Sequence, residues 1–349
     1  MNCLENKKIL LFTPFFFNYH EAIKQELERQ GAIVHMYDER NHPSDLEKVL
    51  IRKFPILISS KINSSYQLII ETERTFKPDF VLFINPEAVT ARSLQFIRQT
   101  FPCSRLILYM WDSLENKDFK SCLQYFDEKY SFDPNDCKVY GMKFRPLFYV
   151  NGVEKNQVCD FKYDVSFIGT VHSDRAKILL DVKKYCDEHH LKYYFYLYIP
   201  GKTMLLFRKL FTKGLREWES KYVHTEPIPK SRIDEISSRT KCIIDINHPY
   251  QTGLTMRTIE MVGLKRKLMT TNANITEYDF YRPENQIVLD RKNLKLNIEN
   301  INSDYIDIPE EVYQKYSLEY WVREIFSCKW GLYESVSYRC KRISWQGCC

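Results

Sequence analysis

The stretch that decides the fold runs from Cys242 to Thr271 and reads CIIDINHPYQTGLTMRTIEMVGLKRKLMTT. Its first residues, Cys242 to Ile246, are mostly apolar and predict a short buried strand. Leu254 to Gly263 has apolar residues at helical spacing, and Lys267 to Thr271 predicts a second strand. A strand, a helix and another strand in this order form a βαβ unit, whose two strands lie parallel in one sheet.

The same alternation of strands and helices extends over the rest of the chain. Further strands are predicted over residues 9–12, 32–37, 78–85, 105–110, 129–132, 139–142, 163–168, 193–199 and 287–289. Helices are predicted over residues 20–29, 66–76, 91–100, 174–189, 231–238 and 318–326. The turn dipeptide Asn151-Gly152 interrupts the alternation. We therefore predict an α/β protein of two Rossmann-like domains, over 1–150 and 151–327, that face each other across a cleft. A cysteine-rich tail over 328–349 has no predicted role.

Length and charge narrow the classes of function. The 349 residues fit two domains of roughly 150 residues each. A formal net charge of +6 is too small to predict binding to nucleic acid, which needs a strongly basic domain. That charge suits anionic small substrates or an anionic membrane surface. The glycine-rich patterns of dinucleotide-binding and P-loop enzymes do not occur in the chain, which argues against both classes.

Cysteine usage and hydropathy predict the compartment. The 11 cysteines are scattered and lack zinc spacing, which is typical of reduced proteins. No run reaches the roughly 18 apolar residues of a membrane span, and the N-terminus MNCLENKK does not resemble a signal peptide. We therefore expect a cytoplasmic protein.

The densest group of polar residues lies between the strand and the helix of the opening stretch. Thr252 and Gly253 are expected at the start of the helix, where free amides and the positive end of the helix dipole bind phosphate. Arg257, one turn further on, supplies a forked cation, and Glu260 can accept hydrogen bonds from two ribose hydroxyls. Because Arg257 and Glu260 share a helix face, a surface ion pair is the alternative interpretation.

Three segments resemble the C-terminal domain of GT-B glycosyltransferases. They read HPYQTGLTMRTIE over 248–260, KLMTTN over 267–272, and DVSFIGT over 164–170 with Arg175 behind it. The resemblance is closest to the CgeB-like, glycosyltransferase group 1 branch, found among capsule and lipopolysaccharide biosynthesis proteins. It covers about residues 160–327, and the N-terminal half is similar only in architecture. It implies a GT-B fold and a nucleotide-sugar donor bound by the second domain.

Carried over residue by residue, the resemblance implies that Glu260 binds the ribose and that Arg257 and the helix start hold the diphosphate. The other donor-binding residues that it implies are Gly169, Thr170, Arg175, Glu226, Ile228, Tyr250, Thr252, Gly253, Leu254 and Thr255. Among them, Gly169 and Thr170 would form a floor near the phosphates, Arg175 would be a second cation, and Glu226 to Ile228 would contact the base. Many retaining relatives carry a second glutamate at the position of Gly253, so neither retention nor inversion is assigned.

The sequence also predicts how the leaving group is neutralised. No Asp-x-Asp triplet, the pair of carboxylates by which GT-A enzymes hold a divalent cation, occurs in the chain. We therefore expect no metal and no cofactor, because arginine side chains and a helix dipole would neutralise the departing diphosphate.

Candidate catalytic residues follow strands in both domains. Asp112 follows the strand 105–110 and is the first candidate for the base that activates an acceptor hydroxyl; the alternative is a helix cap. His20 is a second candidate because its ordinary pKa lies near neutrality, and a helix-start or core histidine is the alternative. His248 adjoins the phosphate loop and could donate to a phosphate or sugar oxygen, whereas the role of the nearby His172 stays open.

A basic, amphipathic helix is predicted between Lys202 and Arg216. Basic residues alternate there with apolar ones such as Leu206 and Phe207. One use is docking on an anionic inner membrane leaflet, where a lipid-linked acceptor would lie. The alternative is an ordinary surface helix that packs by its apolar face.

These interpretations combine into one predicted function. We expect an enzyme, a metal-independent glycosyltransferase that moves a sugar from a nucleotide-sugar donor to a bacterial surface glycan or lipid-linked acceptor. It would work in the cytoplasm, at the inner face of the cell membrane, without a nucleic-acid partner. The alternatives are an inactive nucleotide-sugar-binding or scaffolding subunit, and a GT-B-fold enzyme of other chemistry such as an epimerase or polyol-phosphate transferase. Turnover that is lost on substitution of Glu260 or Arg257 separates an enzyme from a scaffold.

Overall fold

The computed structural model describes residues 4–15, 17–40, 51, 54–116, 119–150, 160–249 and 251–326. These residues fall into two compact units. The first unit comprises the described residues up to Val150 together with those from Leu318 onward, and the second comprises those up to Ser317. Each unit contains one six-stranded sheet, and its strands pair in parallel, so the predicted α/β class is confirmed.

The sheet of the first unit has the strand order β2-β1-β3-β4-β5-β6. Its strands are β1 Lys8–Thr13, β2 Ile33–Asp38, β3 Phe80–Ile84, β4 Arg105–Met110, β5 Glu128–Ser131 and β6 Lys143–Phe144. Its first helices are α1 Tyr19–Arg29, α2 Pro55–Thr72, α3 Ala91–Thr100 and α4 Pro134–Tyr140. The central strands are continuous apolar runs because both faces of a parallel sheet are covered. The strand order reverses between β1 and β3, which is where open α/β sheets bind ligands.

Two local predictions in the first unit are corrected. The strand predicted over residues 139–142 is wrong, because α4 covers its first half and β6 begins only at Lys143. Asp133 caps α4 by accepting the amide of Asn135 (2.8 Å), and Gly141 ends the helix with a φ of 64°. The helix predicted over 66–76 is the end of the longer α2, which is followed by a 3-10 turn over Glu73–Thr75.

The sheet of the second unit has the strand order β12-β11-β10-β7-β8-β9. Its strands are β7 Tyr163–Thr170, β8 Tyr193–Tyr198, β9 Val223–His224, β10 Thr240–Asp245, β11 Lys267–Thr270 and β12 Gln286–Val288. Its helices are α5 Arg175–Glu188, α6 Lys202–Phe211, α7 Lys230–Ser238, α8 Met256–Gly263, α9 Ile298–Asn302 and α10 Glu310–Lys315. This order is that of a Rossmann sheet, and its switch point lies between β7 and β10.

The last described helix, α11 Leu318–Ile325, packs in the first unit. Its Trp321 is fully buried, with ring centroids 4.8 Å from Tyr109 and 4.9 Å from Phe148. The second domain, expected over 151–327, therefore ends at Ser317, because the apolar face of α11 completes the core of the first unit. The expected tail over 328–349 lies outside the described residues. None of the helices in the described ranges is long and apolar enough to cross a membrane.

Candidate functional site

The carboxyl ends of β7 and β10 lie side by side at the switch point of the second unit. Strand β7 ends in Gly169 and Thr170, and α5 begins shortly afterwards at Arg175. Strand β10 ends at Asp245, and a loop leads from it to α8. The predicted donor site consists of two segments that are far apart in sequence: the end of β7 with the start of α5, and the loop from β10 to α8. Both segments therefore lie at the same edge of the sheet.

Arg175 joins the ends of the two strands. Its Nε donates to the carbonyl of Ile246 (2.7 Å), and its Nη1 donates to the carbonyl of Thr170 (2.9 Å). Its guanidinium carbon lies 5.9 Å from the centre of the Phe167 ring. Neutral carbonyls orient this cation without neutralising it.

Arg257 reaches the same place from α8. Its Nη2 donates to the carbonyl of Ile168, and its guanidinium carbon lies 5.4 Å from the centre of the Phe167 ring. A Cβ atom on Gly169 would lie 3.0 Å from that ring and 3.5 Å from Nη2 of Arg257. A larger residue at position 169 would therefore press on the ring beside which both arginines are held.

The site has more positive charge than its one buried carboxylate balances. Burial and, after it, the positive charge of the neighbouring Arg257 lower the pKa of Arg175 to about 10, although the Asp245 carboxylate acts in the opposite direction. Asp245 is 2% exposed, and its Oδ1 is 3.9 Å from Nη1 of Arg257. Two partly buried cations that repel each other favour the binding of an anion between them.

Asp245 also fixes the start of α8. Its Oδ2 accepts the hydroxyls of Thr255 (2.6 Å) and Thr258 (2.9 Å). Thr255 is the N-cap, since its hydroxyl accepts the amide of Thr258 (3.2 Å). The prediction that Thr252 and Gly253 begin the helix is thus wrong, and Arg257 lies in the first helical turn.

Side-chain amides hold the loop ahead of α8. Nδ2 of Asn272 donates to the carbonyls of Thr252 (3.2 Å) and Gly253 (3.1 Å), and Nδ2 of Asn274 donates to that of Thr252 (3.1 Å). Leu254 is buried and anchors the loop in the core. These contacts fix the conformation of the loop that leads into α8. Tyr250, near the beginning of this loop, lies outside the described residues.

Glu260 binds a lysine of the neighbouring helix. Nζ of Lys230, at the start of α7, donates to Oε1 of Glu260 (3.2 Å) and to Oδ1 of Asp234 (2.8 Å). Burial by itself would lower the pKa of Lys230, but Glu260 and Asp234 raise it above its ordinary value. Arg257 and Glu260 therefore have separate partners, the Ile168 carbonyl and Lys230, and the Glu260 side chain remains about 22% exposed.

The segment expected to contact the base lies just before α7. Glu226 and Ile228 precede Lys230, and the carbonyl of Glu226 accepts the hydroxyl of Tyr196 (2.7 Å). The Tyr196 ring stacks on His224 with centroids 3.8 Å apart. These contacts hold the segment to β8 and β9.

His172 and His248 lie together at the edge that holds the arginines. Their ring centroids are 6.0 Å apart. Burial, followed by the positive charge of Arg175 and by His248 and Arg208, lowers the pKa of His172 to about 4. His172 is therefore neutral at neutral pH and offers a ring N–H, not a charge.

This shift predicts an acid-dependent loss of stability. The unfolded chain protonates His172 below its ordinary pKa of 6.5, whereas the folded chain keeps it neutral down to about pH 4. The stabilisation is complete above pH 6.5 and declines as the pH falls toward 4. We expect His172→Gln to lose less stability than the wild type between neutral pH and mild acid, measured by urea unfolding. His189→Gln, an exposed control, should follow the wild type. Equal losses in wild type and His172→Gln would contradict the prediction.

Sequence reasoning missed a second charged cluster at this edge. Nη1 of Arg291, just beyond β12, donates to both carboxylate oxygens of Asp174 (2.7 and 2.9 Å). Its Nη2 donates to the carbonyl and the side-chain oxygen of Asn247 (2.7 Å each). No local motif surrounds Arg291; only the strand order brings it to the switch point.

The candidate bases of the first unit lie at carboxyl ends of its strands. Asp112 follows β4, and its Oδ2 accepts Nδ2 of Asn85 (3.0 Å), which follows β3. Its own amide donates to Oδ1 of Asn85 (3.1 Å), so the two residues form a reciprocal pair. The alternative role of Asp112 is to cap the next helical turn, but there the hydroxyl of Ser113 accepts the amide of Glu115 (3.3 Å). Asp112 therefore stays an exposed candidate base whose orientation is fixed by Asn85.

His20 is the second residue of α1 and is largely buried. Its ring stacks on Phe15 with centroids 4.3 Å apart. Burial lowers its pKa, an effect that Glu21 and Asp38 partly oppose. Its Nδ1 is buried and has no hydrogen-bond partner among the described residues. His20 thus has the unprotonated ring that a base needs, in the setting of a helix-start histidine.

Within the described ranges, no group of three or more histidine, cysteine, aspartate or glutamate side chains is placed to hold a metal ion.

Comparisons with known proteins show the fold. No protein-family model matches the chain, and no curated protein matches its sequence. The chain is similar to the apo structure of OtsA, with a TM-score of 0.58 and 9% identity over 92% of this chain and 99% of that one. It is also similar to the catalytic domain of starch synthase IV from Arabidopsis thaliana bound to ADP and acarbose, with a TM-score of 0.52 and 9% identity over 93% and 98% of the two chains. A UDP-GlcNAc 2-epimerase from Methanocaldococcus jannaschii matches with a TM-score of 0.49 and 12% identity over 92% and 99%. The chain has two α/β units, each with a sheet of six parallel strands, and it is similar in structure to OtsA and starch synthase IV. It therefore has the predicted GT-B fold.

Proposed function

We propose that this protein is a glycosyltransferase that takes a sugar from a nucleoside diphosphate sugar and moves it to a hydroxyl of a surface glycan or lipid-linked acceptor. The observation that carries the proposal is the pair of guanidinium groups of Arg175 and Arg257 beside one phenylalanine ring at the switch point. Backbone carbonyls orient both groups, and the charge balance favours an anion. A diphosphate offers oxygens on two adjacent phosphorus atoms to such a pair.

The chemistry follows from where charge develops. The acceptor oxygen forms a bond to the anomeric carbon as the bond from that carbon to the diphosphate oxygen breaks. Negative charge then builds up on the diphosphate, and fixed cations stabilise it because they need no reorganisation. Arg175 and Arg257 supply these cations, and Asp112 or His20 would take the acceptor proton.

Two further features support a nucleotide-sugar donor. Glu260 keeps a partly exposed carboxylate one helical turn from Arg257, on the same face of α8, where it would accept the ribose hydroxyls. Starch synthase IV, which has the same fold, is bound to ADP in its structure. The base would contact the segment from Glu226 to Ile228, which β8 and β9 hold in place.

A nucleotide panel tests the proposal. We expect one of UDP, GDP, ADP, CDP and dTDP to raise the melting temperature of the wild type, since ligand at 100 times its Kd adds about 2.7 kcal/mol of stability. Glu260→Gln should weaken that nucleotide about tenfold, the size of a lost hydrogen bond to a charged group. The matched control is Glu235→Gln, because Glu235 pairs with Arg232 at the surface of α7. The absence of any stabilising nucleotide would contradict the donor site.

Turnover distinguishes the proposal from its rivals. The sugar nucleotide that matches the preferred base should be consumed faster with an acceptor than without one, and a metal chelator should leave that rate unchanged. Isomerisation of the sugar nucleotide without an acceptor would indicate an epimerase. Tight binding without turnover of any acceptor tried would indicate a non-catalytic subunit. Either result would overturn the proposed transfer.

A further inference from the structure

Helix α6 presents an apolar face to solvent. The exposed fractions of Leu206, Phe207, Leu210 and Phe211 are 69%, 59%, 57% and 72%. In the described structure none of the ten residues of α6 is buried. These four side chains therefore do not pack on the described protein, as the alternative interpretation of an ordinary surface helix would require.

The exposed residues form one continuous surface. Their spacing places them on a common side of the helix, and the Phe207 and Phe211 rings contact each other with centroids 4.7 Å apart. Leu205, which is only partly buried, packs against the core of the second unit from the other side. The helix is thus anchored by one side while its most apolar side faces outward, an arrangement that marks an interaction surface.

The charged residues of α6 and of the segment up to Arg216 are all basic. Residues 201–216 include five basic residues and no acidic residue: Lys202, Arg208, Lys209, Lys213 and Arg216. A second copy of the chain seated on the same face would bring two such basic groups together, which opposes self-association. An anionic surface matches this charge, and a fluid apolar layer matches the protruding leucine and phenylalanine side chains.

We propose that α6 docks the second unit on an anionic phospholipid membrane, with Leu206, Phe207, Leu210 and Phe211 in the boundary between headgroups and acyl chains. Lys209 and Lys213 then lie at the level of the lipid phosphates. The proposal does not rest on the proposed enzymatic function. Docking by α6 would nevertheless bring the candidate phosphate site close to the membrane. Helix α6 also carries Arg208, whose charge acts on His172 at that site. A lipid-linked acceptor would then be held in the layer on which the donor unit sits.

Vesicle flotation of the full chain tests the proposal. The probes are vesicles of phosphatidylcholine alone and vesicles of phosphatidylcholine mixed with phosphatidylglycerol. The wild type should float with the mixed vesicles and much less with the neutral ones, and added salt should weaken the binding. Phe207→Ser/Phe211→Ser should lower the bound fraction about tenfold or more, because two of the inserting side chains are lost. Lys209→Glu/Lys213→Glu should abolish the preference for phosphatidylglycerol.

A matched control keeps the test specific. Leu57→Ser/Leu68→Ser removes two equally exposed leucines from α2 of the first unit and should float like the wild type. Circular dichroism shows that each variant is folded, which is expected because every substituted side chain is exposed. Failure of the wild type to bind anionic vesicles, or undiminished binding by the phenylalanine variant, would overturn the proposal. The proposal would also be overturned if sedimentation showed a dimer whose formation depends on Phe207 and Phe211 and if the protein did not bind vesicles.

Discussion

Arg257→Gln should weaken binding of the preferred nucleoside diphosphate by about tenfold to a hundredfold, the loss of one or two charge-assisted hydrogen bonds. Arg257 is the more informative of the two arginines, because its backbone contact is made through Nη2 to Ile168. Its Nη1 lies 3.9 Å from Asp245, beyond a hydrogen bond, and can face an anion. Arg175, by contrast, joins the ends of β7 and β10 through two bonds, so its removal also loosens the loop.

Isothermal titration calorimetry with a conservative and a remote variant makes this test specific. Arg257→Lys keeps the charge but loses the planar fork, so we expect an intermediate affinity. Arg232→Gln removes an exposed guanidinium that pairs with Glu235, and its Kd should equal that of the wild type. Raising the salt concentration should reduce the ratio of the Kd of Arg257→Gln to that of the wild type, because salt screens part of the attraction between Arg257 and the diphosphate. A Kd of Arg257→Gln within about twofold of the wild type would contradict the assignment of this cation to the diphosphate.

The parts of this site that lie within one βα unit could be predicted from the sequence. Gly169 and Thr170 end one buried strand, which Arg175 follows, and Arg257 follows another strand. Each position is therefore set by a local pattern of apolar run, loop and helix. That the two groups meet requires only that parallel strands end at the same edge of a sheet. The sequence places the start of α8 too early, at Thr252 and Gly253, because it does not show that Thr255 is the N-cap and that Asp245 holds its hydroxyl.

Features that depend on strand order or on a choice of partner could not be predicted. Arg291 and Asp174 are 117 residues apart and meet only because the ends of their strands share an edge. The apolar pattern of α11 predicts that one face is buried, yet it does not say which core receives that face. In α6 the same kind of pattern has the opposite outcome, since its apolar face stays in solvent. Periodicity therefore defines a face, and long-range packing decides what covers it.

Trp321→Ala should destabilise the first unit by about 3–5 kcal/mol, the usual effect of deleting a buried tryptophan side chain. The indole of Trp321 lies against Tyr109 of β4 and against Phe148, and α11 is further tied to this unit by Gln30, whose Nε2 donates to the Glu319 carbonyl (3.2 Å). If α11 belongs to the first unit, Trp321→Ala destabilises that unit and leaves the stability of the second unit unchanged. Amide hydrogen exchange read by mass spectrometry resolves the two units, because it reports local opening segment by segment.

Trp218 of the second unit supplies the matched control. It is almost fully buried against Phe195, with ring centroids 5.7 Å apart, and its Nε1 donates to the carbonyl of Ala176 (2.9 Å). Trp321→Ala should speed exchange in β1 and β4 and leave β7 and β10 protected, whereas Trp218→Ala should do the reverse. Faster exchange in β7 after Trp321→Ala, with β4 unchanged, would place α11 in the second unit. The crossed pattern follows from packing alone, since each tryptophan completes one core, and it would hold even if the chain bound no nucleotide.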